Sequence, residues 1–173
     1  MDLERRIATE VRAAGRKLSG YAATFDVEAR IADFTEVIRR GAFDETLKVN
    51  PDILALVDHS PERLLARTRS GTLRLFEDRR GLAFEIDVPD TSDGRDILTL
   101  AERGDLGGMS FGFRVPDGGE VWQNRRRDLI RIDLKEISVV KSWPAYPDTI
   151  VQARAACPAL LRAQRYLETI WAS

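Results

Sequence analysis

Residues 107–115 read Gly107-Gly108-Met109-Ser110-Phe111-Gly112-Phe113-Arg114-Val115, and the conformation of this stretch decides the fold. The pentapeptide Gly108-Met109-Ser110-Phe111-Gly112 has the letters Gly-x-Ser-x-Gly. A nucleophile elbow with those letters requires a strand, a sharp turn and then a helix. Here Phe111, Phe113 and Val115 alternate with small or polar residues, which is the period of a continuing strand. The serine is therefore expected on a strand rather than at a strand-to-helix turn. Its glycine neighbours allow close backbone approach and leave N–H groups accessible to a developing oxyanion.

The rest of the chain supports a strand-rich protein. Residues 7–11 alternate, Gly15-Arg16-Lys17 marks a turn, and Leu18–Phe25 continues a hairpin. Residues 26–36 read as a polar loop. Val37, Ile38, Phe43 and Leu47 suggest a short helix from about Gly41 to Lys48, ended before Asn50-Pro51. Ile53–Val57 is an apolar run of strand length, followed by Asp58-His59 and a Ser60-Pro61 turn signal. Thr72–Glu77 and Leu82–Val88 form a second hairpin. A helix over Arg95–Arg103 is expected, with Thr91, Ser92 or Asp93 as its cap and Gly104 at its end. Met109–Val115, Val121–Gln123, Asp128–Leu134 and Ile137–Ser142 complete about eight strands. The expected class is α+β, strand-dominated: a closed or nearly closed antiparallel β-barrel with short outer helices, since closure removes exposed edges. Residues 1–150 form this domain. Residues 151–173 form a linker and an amphipathic helix beginning near Pro158.

Composition narrows the chemistry. The 173 residues suit one domain. No run approaches the roughly 18 apolar residues of a membrane span, and the first residues lack the apolar core of a secretory signal. The single cysteine, Cys157, forms no internal disulfide and cannot hold zinc alone. Packing must hold the fold, in a cytosol-like compartment. Both ends are slightly basic, too weakly to indicate nucleic-acid binding. The run Arg125-Arg126-Arg127 is expected at a solvated hairpin tip.

Three residues carry the candidate chemistry. His59 is the chain's one histidine. It follows an apolar strand that would fix its backbone, and imidazole is the natural base near neutral pH. Ser110 is the hydroxyl among glycines. Glu136, in Leu134-Lys135-Glu136-Ile137-Ser138-Val139-Val140, either faces solvent beside Lys135 or orients the imidazole. Asp58 and Asp133 are the fallbacks for the acid. Asp58 adjoins His59 and should point to the opposite face, and Asp133 differs in strand parity from Glu136.

Five segments in order resemble the prohead (capsid-maturation) serine proteases of tailed bacteriophages: Gly20-Tyr21-Ala22-Ala23-Thr24-Phe25, Gly41-Ala42-Phe43, Asp58-His59, Met109-Ser110-Phe111-Gly112-Phe113, and Leu134–Val140 through Pro144-Ala145-Tyr146-Pro147. The resemblance spans roughly residues 7–150. It implies a herpesvirus-protease-like barrel and a serine–histidine pair, mapped onto Ser110 and His59. The herpesvirus proteases use a second histidine, which this chain lacks, so an acid at Glu136 is the consistent third member. The implied function is a serine endopeptidase without cofactor or metal. Its implied substrates are the phage major capsid protein, cut in its inward-facing segment, and the scaffolding protein. The implied place is inside the assembling prohead in the bacterial host cytoplasm, and self-cleavage within residues 151–157 is one extension of that reading. A homo-oligomer is left open. The alternatives are a non-catalytic assembly module with the same fold that binds capsid or scaffold, and a general housekeeping protease.

Overall fold

The computed structural model describes residues 3–8, 10–49 and 52–142. The expected tail helix, the 151–157 linker and Cys157 lie outside the described residues.

The chain enters through β1 (Glu4–Ala8) and β2 (Glu10–Ala14), which turns at Gly15-Arg16 into β3 (Lys17–Thr24). β4 (Ala29–Ile31) and β5 (Phe34–Ile38) follow, then helix α1 (Asp44–Val49). β6 (Leu54–Val57) and β7 (Ser60–Arg67) form a hairpin. β8 (Leu73–Glu77) and β9 (Gly81–Asp87) form another. Helix α2 (Ser92–Arg103) is capped by Thr91, whose side chain accepts from Gly94 N–H, and it ends at Gly104 in the left-handed conformation. The last strands are β10 (Gly108–Arg114), β11 (Glu120–Gln123), β12 (Arg126–Leu129) and β13 (Asp133–Val140).

The strand-dominated α+β class holds; a single closed barrel is not seen among the described strands. The described strands form three sheets, ordered β1-β10-β13-β6-β7, β11-β12-β5-β4 and β2-β3-β9-β8, and none closes on itself. Two pairings, β13 with β6 and β12 with β5, are parallel. They join segments far apart in sequence, which hairpin signals cannot reveal. Edges are managed by other means: β4 is three residues long, and β7 carries Pro61, Glu62 and Arg63. Consecutive strands also tie two sheets together, since β1 is the edge of one and β2 the edge of another.

Several expected boundaries move for local reasons. The polar loop over 26–36 holds β4 and most of β5. The expected turn at Ser60-Pro61 is the start of β7, because proline is tolerated at the beginning of an edge strand.

The core that fixes the site is aromatic. Met109, Phe111 and Phe113 leave one face of β10 and are fully buried. Phe111 stacks on Phe113 at 5.2 Å and meets Phe43 edge-on at 5.9 Å. Such pairs contribute about 0.5–1.5 kcal/mol beyond the area they bury. They lock the register of β10 and so direct Ser110 and Gly112 to the opposite face.

Candidate active site

β10 lies between β1 and β13, and Ser110 is paired in register with Ile7 on one side and Ser138 on the other. Gly112 lies opposite Glu136. Directly opposed residues share a face, so Ser110, Gly112, Glu136 and Ser138 form one patch. A side chain at 112 would force Glu136 to move: a Cβ there would lie 2.4 Å from Glu136 Oε1. Gly112 is the space into which the carboxylate folds. Gly108, two residues before the serine, has φ 133, a backbone that favours glycine.

His59 arrives from the other side of β13. β6 runs parallel to β13 with Val57 opposite Val139, and the two-residue loop Asp58-His59 turns it into β7. Both loop residues have positive φ, 51 and 59, the pattern of a type I′ hairpin turn normally filled by Asn-Gly or Asp-Gly. A histidine there costs on the order of 1–3 kcal/mol and must be held by its surroundings. Asp58 N–H donates to Val139 O at 2.9 Å. The Asp58 carboxylate accepts from Lys141 N–H at 2.9 Å and from Arg63 at 3.2 Å. Arg63 in turn binds Asp93 at the start of α2. Asp58 is thus a clamp on the turn.

The result is a chain of contacts through Glu136. Its Oε1 pairs with His59 Nδ1 at 2.7 Å, and its Oε2 accepts from Ser138 Oγ at 2.5 Å. Glu136 is 7% exposed, so the expectation of a solvated carboxylate beside Lys135 is set aside. A carboxylate at Nδ1 keeps the proton there and leaves Nε2 with its lone pair. Asp133 forms an ion pair with Lys135 Nζ at 2.6 Å. Strand parity does not separate Asp133 from Glu136 as expected: β13 carries an extra residue, Lys135, opposite Gly112/Phe113, which shifts the alternation.

Ser110 is 0% exposed, and among the described residues its Oγ has no hydrogen-bond partner. The glycines beside it do not open this atom to solvent. A buried hydroxyl without a partner is uncommon in native proteins. The structure therefore brings His59 and Glu136 into direct contact. It places Ser110 one strand away, opposite Ser138, without a hydrogen bond to the imidazole. Sequence reading missed Ser138 and the packing role of Gly112. The spacing i, i+2 from Glu136 on a strand would have pointed to Ser138.

A sequence profile described as Caudovirus prohead serine protease matches residues 2–160. The chain is similar in structure to the capsid assembly protease of bacteriophage T4, with TM-score 0.56 and 9% identity, covering 82% of this chain and 98% of that one. At that identity the likeness concerns the fold. No curated protein sequence matches.

Proposed function

The chain belongs to the caudovirus prohead serine protease family, and from that premise we propose that it is a serine endopeptidase in which Ser110, His59 and Glu136 carry the reaction. Ser110 Oγ attacks the scissile carbonyl, forming the C–O bond. His59 Nε2 takes the serine proton and later delivers it to the leaving amine. Glu136 holds Nδ1–H and stabilises the imidazolium. The observation that carries this reading is the 2.7 Å contact between His59 Nδ1 and a buried Glu136, on the strand directly paired with that of Ser110. Because Ser110 is covered, a bound peptide must displace what lies over it before attack. The substrates in this reading are capsid-related proteins: the scaffolding protein and the inward-facing segment of the major capsid protein.

The test is Ser110→Ala with co-expressed capsid protein. Cleavage should fall on the order of a million-fold, as when a triad serine is removed. Folding should be unchanged, because the substitution deletes a buried hydroxyl that makes no hydrogen bond. Undiminished processing by the alanine variant, followed on gels, would refute the assignment.

A further inference from the structure

Resting on that reading of the site, the geometry points to Ser138 as a positioning residue that sets which oxygen of Glu136 faces the imidazole. A glutamate side chain has three rotatable bonds, and its two carboxylate oxygens are chemically equal until the protein distinguishes them. Here they have separate tasks. Oε1 meets His59 Nδ1, and Oε2 accepts a hydrogen bond from the Ser138 hydroxyl at 2.5 Å. Ser138 is fully buried, so no water competes for this bond. It is also a β-sheet residue held on both sides, opposite Ser110 in β10 and beside Leu56 in β6. Its backbone is thus fixed by the sheet that presents the nucleophile and the base.

Gly112 supplies the other half of the arrangement. Its missing side chain leaves a space that the Glu136 carboxylate fills. The space alone would admit a rotated carboxylate. The Ser138 bond selects one orientation. The hydroxyl has one proton, and that proton is committed to Glu136. Ser138 therefore acts on the reaction through Glu136 and His59 rather than by contact with the peptide.

His59 is the only histidine in the chain, so an imidazole nitrogen spectrum reports this site alone. The substitutions Ser138→Ala and Ser138→Thr are compared in two backgrounds. In the active chain, a fluorophosphonate probe measures nucleophile reactivity: the serine oxygen bonds to phosphorus, fluoride leaves, and the proton passes to the imidazole. In Ser110→Ala, nitrogen NMR reads the tautomer of His59. We expect Ser138→Ala to lower the maximal labelling rate roughly 10- to 100-fold, the range for losing a partner that orients a working side chain. The probe concentration at half-maximal rate should stay within about twofold. Ser138→Thr, which keeps a hydroxyl, should recover most of the rate. The imidazole should hold its proton on Nδ1 in the parent and become a mixture of tautomers in Ser138→Ala.

Wild-type labelling and an unchanged tautomer in Ser138→Ala would overturn the proposal. So would a threonine variant as impaired as alanine while equally folded by thermal melting, since that would make the residue a packing element only. If both variants unfold, Ser138→Cys, close in size and a weak donor, is measured in the same two ways, and the same outcomes decide. Absence of labelling in the parent, or a label mapped to another residue, counts against Ser110 as nucleophile, whereas the tautomer measurement still decides the role of Ser138.

Discussion

Two buried polar clusters lie on either side of β10, and they are built on opposite principles. One is the candidate site: Glu136 between His59 and Ser138, with the Ser110 hydroxyl opposite and, among the described residues, without a partner. The other joins β1, β5, β11 and β12. Arg127, 8% exposed, binds Glu4 at 2.6 and 2.7 Å, Glu36 at 3.0 Å and Glu120 at 2.5 Å. Arg6 adds contacts to Glu36 at 2.6 and 2.8 Å and to Glu4 at 2.8 Å. Glu36 is 2% exposed. In this second cluster Glu4 is held by Arg127 and Glu36 by Arg6 in fork geometry, and Glu120 meets Arg127 through one bond; Arg127 also stands over the Trp122 ring at 5.8 Å. Burial alone would lower the arginine pKa, but the three acids outweigh it and raise it beyond its ordinary value. A surface hollow opens beside this network, bordered by Glu4, Glu120 and Arg127, and its wall includes none of Ser110, His59 or Glu136. Saturated bonding makes a strut. Unsaturated bonding, with the Ser110 hydroxyl left over among the described residues, suits the proposed chemistry.

If that contrast is right, substitutions in the two clusters should fail in different ways. The largest stability effect is expected from Arg127→Met, which leaves three carboxylates without their common partner. It should cost about 3–5 kcal/mol, the range for breaking a buried ion pair, read from urea unfolding, while the His59 tautomer stays as in the parent. A loss below about 1 kcal/mol would dissolve the distinction. Gly112→Ala should do the reverse. The new Cβ meets the end of a flexible side chain, so the unfolding midpoint should change little, but the displaced carboxylate should lower fluorophosphonate labelling by about 100-fold. An equally reactive alanine variant would mean that the Glu136 orientation is unimportant.

The smallest effect concerns pH. Burial pushes the Glu4 carboxyl upward, but Arg127 and Arg6 outweigh it and hold the pKa below its ordinary 4.5. The folded state therefore binds fewer protons than the unfolded state as pH drops. Glu4 contributes stability in full above about pH 4.5, and that contribution is lost as pH falls through the lowered folded value. Glu4→Gln should flatten the acid limb of the stability curve below pH 4.5 and leave labelling at neutral pH unchanged. An acid limb as steep as the parent's would assign the dependence to other carboxyls.

How much of this was legible in the sequence follows the same division. The candidate site residues stood out through local signals: glycines around Ser110, a lone histidine after an apolar strand, an acid inside an apolar run. The continuing strand after Ser110, helix α2 and its Thr91 cap were likewise local. The strut was invisible. Glu36 lay in a stretch read as polar loop, and Arg127 in a basic run assigned to a solvated tip, because their partners are 91 residues apart in sequence and only the tertiary fold joins them. The Asp58-His59 turn was hidden for another reason. It uses left-handed backbone without the glycine that usually marks it. Closure into one barrel was inferred from a general need to protect edges, which short and charged edge strands also meet.

The position of β13 has a consequence for the timing of synthesis. Among the described strands β13 is the one neighbour that β10 and β6 share, and it comes last of them in the chain. A nascent polypeptide that has not yet extended past Val140 lacks the complete strand that lies between β10, which carries Ser110, and β6, whose turn carries His59. Such pairing of distant segments is also slow to form. On the proposed reading, the ribosome delivers β13, and with it Glu136, after the strands it joins, so the Ser110–His59–Glu136 group assembles only once Val140 has been made.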